Sequence, residues 1–436
     1  MSSNMEHTLI YSKIRELLTP ADVNRVQKNR VFYLALKDNC DVFVDYEVKA
    51  SSELFTELSF VDKGSRIMTK VSLDRSTVMD KLFFDDCEKQ FDILLVKFQS
   101  VLVDTERISA IDNKRTTALV TLSNRTAKDD FLNLATVILL STIRQLLKRE
   151  LEVVATCSSN LKIDDILNKA HFPVSLSSVK YLDCKDAQKD FGQFDNPLYV
   201  STSARMKKCA VDNAYGVIYG NFTFKDVDGD DVDVLEIYLS SRKEELLKQA
   251  EERLLSCTGE YHSIEHVCEK MLPFILAFDI FSSPTPFNPL NPSPQHLRDA
   301  VFIHYNIARM AHIKQVYEKV EKHTLQTDLG SLSLDVEWAL TCQLVNFEKI
   351  FEEAFISPFI KADCQANLCI HKLLQFLVKL VKLFSKYYSS TKIITYDQKE
   401  SLIVRMNTRM LLVNSVYNVL VFCLKDILGV PLVLNM

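Results

Sequence analysis

Four lysines near the C-terminus recur at a spacing that suits phosphate binding, at intervals of seven, three and four residues. They are Lys372, Lys379, Lys382 and Lys386. This spacing places the ammonium groups along one face of a helix. Lysines in such a row neutralise phosphates, and the adjacent Tyr387 and Tyr388 can stack on unpaired bases. The alternative is a solvated helix face beside core tyrosines; we interpret the row as an RNA-binding face.

Two other clusters have the residue types of a metal site without its spacing. Five aspartates lie between residues 226 and 233, but the glycine among them is misplaced for a calcium loop and the twelfth position is Ile237. We interpret this segment as a solvated acidic turn. His262, His266 and Cys268 lie on one predicted helix without a second group of ligands nearby. We therefore predict no metal site, and no Ser–His–Asp or Cys–His catalytic set can be identified.

A nucleotide could bind in the region of residues 117–155. Residues 117–122 are predicted to form a strand, 123–130 a polar turn, 131–148 a helix and 151–155 a second strand. This order builds a parallel sheet, and the N-terminus of the helix favours phosphate. The chain holds only 8 glycines, however, which excludes a glycine-rich phosphate cradle.

A proline-rich segment divides the chain. Five of the 11 prolines lie within residues 282–295, which predicts an extended and stiff connector. The part before it is mixed in its periodicity. Strands are predicted at residues 31–36, 40–46, 214–224 and 232–239, and helices at residues 10–18, 242–255 and 263–281.

The part after the connector is predicted to be helical throughout. Apolar residues recur at spacings of three and four over residues 297–323, 334–355, 367–388 and 401–428. Short polar joints between these segments predict an antiparallel helical bundle. Residues 296–436 carry 16 Lys and Arg against 13 Asp and Glu, whereas the preceding residues carry 36 against 44. The net charge of −5 therefore conceals a basic C-terminal part, the side expected to face phosphate.

The composition is that of an ordinary globular protein. At 436 residues, with 47% hydrophobic and 25% charged residues, the chain can form two or three domains. Its 11 cysteines show no repeated spacing, and the N-terminus lacks the apolar core of a signal peptide. We expect reduced thiols and a cytoplasmic protein. No stretch reaches about 18 uncharged apolar residues, so no membrane span is expected.

The helix at residues 296–317 carries a more specific signature. With Tyr305, Asn306, Ala308 and Arg309 at its centre, it resembles the signature helix of the DALR anticodon-binding domain, which is known from the C-terminus of arginyl-tRNA synthetases. Further segments are similar to elements of those enzymes. They are residues 384–388 (Phe-Ser-Lys-Tyr-Tyr), 409–416, 428–436 with its terminal methionine, and 215–218.

The resemblance fails where the synthetase performs its chemistry. Class I synthetases carry a His-x-Gly-His pattern that stabilises the transferring phosphates, and residues 131–134 hold Phe-Leu-Asn-Leu in its place. A leucine cannot donate a hydrogen bond to a developing phosphate charge. The mobile-loop lysine signature is also absent, since residues 205–208 (Arg-Met-Lys-Lys) are a poor match. We therefore predict no catalytic residues, no cofactor and no enzyme activity.

With its degenerate body, the chain resembles the family of DALR anticodon-binding domain-containing protein 3 more closely than any synthetase. The likeness extends over roughly residues 117–436, and the first hundred residues match loosely. That family is a non-catalytic partner of the tRNA 3-methylcytidine methyltransferase that modifies the anticodon loop of certain arginine tRNAs. The resemblance implies that this chain recognises those arginine tRNAs and delivers them to the methyltransferase.

The resemblance also suggests site residues. It carries over Tyr305, Asn306, Arg309 and Met436 as tRNA contacts. Packing roles remain open in the signature helix, because Ala308 permits close helix packing and Arg309 could pair with a carboxylate. The predicted tRNA site combines the carried-over residues with the C-terminal part of the lysine row and its tyrosines. It consists of Tyr305, Asn306, Arg309, Lys379, Lys382, Lys386, Tyr387, Tyr388 and Met436.

The predicted fold is an α/β N-terminal body of the degenerate class I synthetase, Rossmann type, followed by an all-α DALR anticodon-binding helical bundle. The domains are predicted as an α+β domain at 1–110, the synthetase-like body at 111–281, the linker at 282–295 and the bundle at 296–436. Two other functions remain open. The chain could be a divergent arginyl-tRNA synthetase or a scaffold that binds only proteins.

Overall fold

The fold was analysed in a computed structural model. It describes residues 18–20, 32–35, 41–44, 48–50, 55–62, 67–73, 87–104, 115–122, 126, 128–148, 150–157, 163–170, 172, 179–183, 198–202, 215–220, 222–224, 233–254, 262–282, 286–321, 324–361 and 365–434.

The described residues form strands and helices that alternate through the middle of the chain. The strands are β1 Leu18–Pro20, β2 Phe32–Ala35, β3 Asp41–Val44, β4 Val48–Ala50, β5 Phe55–Asp62, β6 Ile67–Leu73, β7 Arg115–Leu122, β8 Glu150–Cys157, β9 Val179–Asp183, β10 Leu198–Thr202, β11 Tyr215–Tyr219 and β12 Gln365–Asn367. The helices are α1 Cys87–Asp104, α2 Asp129–Leu147, α3 Ile163–Lys169, α4 Val234–Leu254, α5 His262–Phe281, α6 Pro294–Lys319, α7 Asp335–Phe351, α8 Ser357–Lys361, α9 Ile370–Ser390 and α10 Glu400–Val421. Glu352–Ile356 and Phe422–Ile427 are π-helical.

The chain forms two compact units, each assembled from separated segments. The first unit comprises Met1–Phe91, Met310–Ile350 and Lys379–Val419. The second unit comprises Asp92–Arg309, Phe351–Val378 and Leu420–Met436. The units therefore interleave along the chain, whereas the predicted domains are consecutive segments.

A six-stranded parallel sheet forms the second unit's core. Its strand order is β12-β11-β10-β7-β8-β9, and every neighbouring pair is parallel. The strands β10 and β11 are buried along their whole length, as expected for a sheet covered on both faces. The parallel sheet predicted from residues 117–155 is confirmed. The strand order reverses between β7 and β10, which is where open α/β sheets bind ligands.

Helix α2 is the most buried helix segment of this unit. Sixteen of its 19 residues are buried, and it packs on β7, β10, α3 and α4. By length and composition alone, α2 and residues 400–427 could cross a membrane, but 83% of the α2 window and 56% of the other window are buried inside the protein. Core helices of globular proteins pass the same test, so these two helices are weak support for a membrane span.

The first unit contains antiparallel strands, most of α7 and α10, and parts of α1, α6 and α9. One sheet has the order β2-β3-β6-β5, and β1 pairs with β4. In the helical part, Val320, Ile403 and Met406 form a buried cluster against which Tyr317 and Ile394 pack. The predicted apolar spacing of three and four residues brings these side chains together.

Two predicted elements differ in the structure. Residues 232–239 were predicted as a strand, but α4 begins at Val234 because the Asp233 side chain accepts a hydrogen bond from the Glu236 N–H and caps the helix. The part after the connector is not entirely helical either. The strand β12 lies within it and pairs with β11 at the edge of the parallel sheet, and three residues are too short to show a strand periodicity.

The proline-rich segment is packed against the second unit over its described residues. Phe287 is 7% exposed and pairs with Phe222, and the Thr223 N–H donates to the Phe287 carbonyl. Pro289 and Pro292 are also buried. The segment was predicted as an extended connector, and its apolar residues instead contribute to the core of the unit.

Candidate nucleic-acid interface

The exposed face of α9 carries the predicted lysines. Lys379, Lys382 and Lys386 are all exposed, whereas Leu380 and Phe384 on the other side of the helix are fully buried. The first and last of these lysines are about 10 Å apart along the helix axis. We call Lys379, Lys382 and Lys386 the lysine face. Its three ammonium groups present a row of positive charge that suits a phosphate backbone.

Lys372 is excluded from this face. It forms an ion pair with Glu353 in the second unit, with 2.7 Å between Nζ and Oε2, and both side chains are partly buried. A paired lysine contributes little net charge to a phosphate site. Met436, the terminal residue predicted to contact tRNA, lies outside the described residues.

The two tyrosines that follow the lysine face have opposite environments. Tyr387 is 0% exposed, and its burial raises the pKa of its hydroxyl. Its ring lies 6.4 Å from that of Phe384, so Tyr387 belongs to the helical core and cannot stack on a base. Tyr388 is 42% exposed and can do so. The predicted tRNA contact is therefore wrong for Tyr387 in this conformation, while Tyr388 stays a candidate.

Further basic residues follow the lysine face in the sequence and were not predicted as site residues. Residues 379–419 contain seven Lys and Arg but only two Asp and Glu. Lys392, Lys399 and Arg405 are exposed, and Tyr396 between them is 71% exposed. Lysines and tyrosines alternate over residues 386–399 of the sequence, and this pattern could have identified Lys392, Tyr396 and Lys399 as candidates. Arg409 is different, because it binds Glu337 and is mostly buried.

In the second unit, Tyr305 and Arg309 form an exposed pair on α6. The Arg309 guanidinium lies 4.4 Å from the centre of the Tyr305 ring, and its Nη2 donates to the Tyr305 hydroxyl at 2.5 Å. Tyr305 is 37% exposed. The arginine therefore pairs with an aromatic ring one turn earlier on its own helix. Both side chains remain candidates for RNA contact.

Asn306 is buried, although it was predicted to contact tRNA. It is 0% exposed, and its amide donates to the Phe302 carbonyl one turn earlier. The same face of α6 carries the buried Ile303, Ile307 and Met310. Asn306 therefore belongs to the core, and its predicted RNA contact is wrong in this conformation.

His304, next to this pair on α6, is completely buried against Phe274. The two rings are 4.9 Å apart in an edge-on arrangement, and neither imidazole nitrogen has a hydrogen-bond partner among the described residues. Burial lowers the pKa of His304 to about 3. The imidazole is therefore neutral in the folded protein at physiological pH.

This burial predicts a loss of stability in mild acid. The unfolded chain takes up a proton on His304 below pH of about 6.5, but the folded chain resists protonation until about pH 3. Stability is therefore lost as pH falls through this window, by about 2 kcal/mol between pH 7 and pH 5. Urea unfolding of the wild type and His304→Leu at both pH values measures the effect. The variant should lack this part of the pH dependence; equal slopes would contradict the assignment.

Aromatic side chains pack around Phe131 in the first turn of α2, the helix that follows β7 at the strand-order reversal. The ring of Phe131 contacts those of Phe222, Tyr238 and Phe287 at centroid distances of 5.5 to 6.0 Å. Gly220 has φ of +84°, and a Cβ there would lie 2.6 Å from the Phe222 ring. This turn ends β11 and brings Phe222 into the cluster, which is why the strand predicted to run to residue 224 is shorter.

The first turn of α2 is acidic. The Asp129 carboxylate is buried and accepts the Thr126 N–H at 2.9 Å, and Asp130 lies 3.6 Å from the Lys169 ammonium. Residues 131–134 are all buried in the helix. Carboxylates occupy the helix end that would otherwise attract phosphate. Among the side chains of residues 129–134, the only hydrogen-bond donor is the Asn133 amide, which is buried.

The predicted absence of a metal site is consistent with the described side chains, although the absence itself stays a prediction. No group of three or more His, Cys, Asp or Glu that could hold a metal occurs among them. Cys268 is buried, and burial raises the pKa of its thiol. Asp233 caps α4 and pairs with Lys169 at 2.6 Å. The aspartates at positions 226, 228, 230 and 231 and the basic run at 205–208 lie outside the described residues.

Comparison with known proteins identifies the C-terminal part. Residues 303–436 match the family model described as the DALR anticodon binding domain. The whole chain is similar to the structure of Thermus thermophilus arginyl-tRNA synthetase, with a TM-score of 0.57 and 12% identity over 98% of each chain. A putative arginyl-tRNA synthetase from Campylobacter jejuni is matched with a TM-score of 0.35 and 10% identity, over 79% of this chain and 100% of that one. No curated protein matched the chain significantly.

These findings confirm the predicted fold. The chain has a six-stranded parallel α/β body and a helical C-terminal DALR domain, and its fold is similar to that of an arginyl-tRNA synthetase. At 12% identity the similarity establishes the fold and leaves the activity open.

Proposed function

We propose that this chain is a non-catalytic, cytoplasmic tRNA-binding adaptor for arginine tRNAs. The lysine face is the observation that carries the proposal, because it presents three exposed ammonium groups within the residues that match an anticodon-binding domain. The exposed Tyr388 adjoins it and can stack on an unpaired base. Arginine tRNA is the proposed ligand because the full-length structural relative is an arginyl-tRNA synthetase.

The first turn of α2, which follows β7 at the strand-order reversal, supports the absence of catalysis. Activation of an amino acid by ATP transfers an adenylyl group with release of pyrophosphate, and it needs donors aimed at the reacting phosphates. The side chains of Phe131, Leu132 and Leu134 have no donor, the Asn133 amide is buried, and Asp129 and Asp130 would repel a phosphate. Phe131, in the first turn of the helix, packs against Phe222 and Phe287. Binding of tRNA without aminoacylation is the activity that these features favour.

The proposed role of the bound tRNA follows from the resemblance to the methyltransferase-partner family. The chain would hold an arginine tRNA while a tRNA 3-methylcytidine methyltransferase modifies the anticodon loop. A chain that binds both molecules raises the effective concentration of the tRNA at the methyltransferase. It can therefore support the modification without contributing a catalytic residue. The acidic residues 1–295, with 44 Asp and Glu against 36 Lys and Arg, remain available for the protein partner.

A reconstituted methylation assay tests the proposal. Purified methyltransferase is incubated with an arginine tRNA, with and without this chain, and 3-methylcytidine is measured by mass spectrometry of the digested tRNA. We expect the chain to increase the modification of arginine tRNA and not of a serine tRNA used as control. A mobility shift at low salt measures binding separately. Absence of a shift with every arginine tRNA would contradict the tRNA-binding proposal itself.

A divergent arginyl-tRNA synthetase is the second candidate, favoured by a structural similarity that covers 98% of both chains. It predicts exchange of labelled pyrophosphate into ATP when arginine and arginine tRNA are added. Because residues 131–134 lack the histidines of the synthetase pattern and their side chains are buried, we expect no exchange above the level without arginine. Arginine-dependent exchange would replace the adaptor proposal with this one.

A further inference from the structure

The joint between α9 and α10 holds an exposed aromatic side chain that has a lysine on either side in the sequence and Asp397 directly after it. In residues 391–399, the Tyr396 side chain is 71% exposed, and Lys392 and Lys399 are exposed as well. This ring is among the most exposed large apolar side chains of the described residues. A single exposed tyrosine is common on protein surfaces. Tyr396 differs from an ordinary exposed tyrosine because it lies between two exposed lysines in the sequence and extends from an anchored backbone.

The backbone on the N-terminal side of Tyr396 is anchored to the first unit. Ile393 is 6% exposed, and Ile394 packs against the cluster formed by Val320, Ile403 and Met406. The Arg409 Nη1 donates to the Lys392 carbonyl at 2.8 Å, while its Nε donates to the buried Glu337 at 2.9 Å. The buried Glu337 carboxylate therefore holds the Arg409 guanidinium in place, and the guanidinium in turn holds the backbone of the joint at Lys392.

The backbone after Tyr396 is held by local hydrogen bonds. The Asp397 N–H donates to the Thr395 hydroxyl at 3.2 Å, and the Lys399 N–H donates to the Asp397 carboxylate at 3.1 Å. Helix α10 begins one residue later. The Tyr396 ring therefore extends from a backbone that is fixed on both sides, so little conformational entropy of the joint is lost when a ligand binds the ring.

We infer that Tyr396 is a stacking platform for one unpaired RNA base, whose flanking phosphates lie against Lys392 and Lys399. Unpaired bases stack on aromatic side chains, and lysines neutralise the adjoining phosphates. A base inside a duplex stem is already stacked on both faces, so the platform selects loop nucleotides over stems. The inference rests on the proposed function and adds the class of RNA structure that is recognised.

Two RNAs distinguish a loop platform from general phosphate attraction. One is a hairpin with an unpaired loop of the arginine tRNA anticodon sequence, and the other is a blunt duplex of the same stem. Fluorescence anisotropy gives Kd for each with the full chain. Tyr396→Ala should weaken hairpin binding about 5- to 100-fold, which corresponds to the loss of one stacked base. Its Kd for the duplex should change less than about twofold.

The controls separate stacking from folding and exposure. Tyr396→Phe keeps the ring and should bind the hairpin within about threefold of wild type. Leu325→Ala removes another side chain of the first unit, 77% exposed, and should leave both Kd values unchanged. In Tyr396→Trp, the introduced indole should be quenched by the hairpin and not by the duplex. The single native tryptophan, Trp338, is only 5% exposed, so it contributes little to that change.

The outcomes distinguish this inference from the proposed function. Equal hairpin binding by wild type and Tyr396→Ala would overturn the platform while tRNA binding by the chain stands. An equal loss for hairpin and duplex would overturn it too, because stacking on a loop base cannot weaken a duplex. A wild type that shifts arginine tRNA but does not bind the hairpin would overturn the platform alone. Failure to bind both the hairpin and every arginine tRNA would overturn the proposed function and, with it, the platform.

Discussion

Replacement of Lys379, Lys382 and Lys386 by glutamate is expected to weaken binding of arginine tRNA by about 100-fold or more. Each substitution removes a positive charge that neutralises a phosphate and adds a negative charge that repels it. All three side chains are exposed on one face of α9, so the folded structure should persist. The measurement is Kd by filter binding across a range of salt concentrations, with thermal unfolding to confirm the fold.

A matched control keeps the same change in net charge. Lys180, Lys248 and Lys270 are exposed lysines of the second unit, outside the lysine face. Their replacement by glutamate should alter Kd far less than the triple variant of the lysine face. In the triple variant of the lysine face, the slope of log K against log salt concentration should become shallower by about 2 to 3. The control variant should keep the wild-type slope. Unchanged affinity in the folded triple variant would eliminate the lysine face as the binding surface.

Asp279→Ala is expected to lower the free energy of unfolding by about 3–5 kcal/mol, because it removes the buried counter-charge of Arg242 and leaves only the partly exposed Glu245. The carboxylate receives the Arg242 Nε at 2.8 Å and Nη2 at 2.9 Å, and the Tyr238 hydroxyl at 2.7 Å. Both charged side chains are 0% exposed. Arg242 also donates to the Ser293 carbonyl at 3.0 Å, so the pair holds the proline-rich segment against α4 and α5. Urea unfolding followed by circular dichroism measures the change.

A neighbouring carboxylate provides the control for Asp279. Glu245 also pairs with Arg242, at 2.6 Å, but it is 38% exposed, so Glu245→Gln should cost less than about 1 kcal/mol. The double variant Arg242→Met with Asp279→Leu should be more stable than Asp279→Ala, because no unpaired charge remains buried. If Asp279→Ala costs no more than Glu245→Gln, the buried pair does not stabilise this packing.

Much of the local structure could be predicted because one period governs it. The apolar spacing of three and four residues locates both ends of α6, α7 and α9 to within about four residues. It also locates the start of α10, and the predicted end at residue 428 lies just past the π-helical segment that follows α10. The same spacing predicts that Tyr387 is buried and not on the lysine face. Tyr387 follows the buried Leu380 and Phe384 at intervals of four and three residues, so the three side chains lie on one side of the helix. The prediction for Tyr387 was wrong because residue type was weighed above that register.

The interleaving of the two units could not be predicted from local patterns. The strand β12 joins β11 across about 150 residues of chain, and the Lys372 partner Glu353 lies on a separate π-helical turn. Such pairings depend on tertiary packing and leave no periodicity in the sequence. Only the structure therefore shows that Lys372 does not belong to the lysine face, whereas the helical period of the sequence is enough to predict that Lys379 is exposed.

The most direct test of the adaptor account is to recover the tagged protein from cells, sequence its bound RNA and identify its bound proteins in one experiment. The account predicts enrichment of a few arginine tRNAs together with a tRNA 3-methylcytidine methyltransferase, and loss of the tRNAs in the triple glutamate variant of the lysine face. Recovery of the protein without tRNA would contradict the account. The DALR domain would then record the ancestry of the chain and not its present ligand.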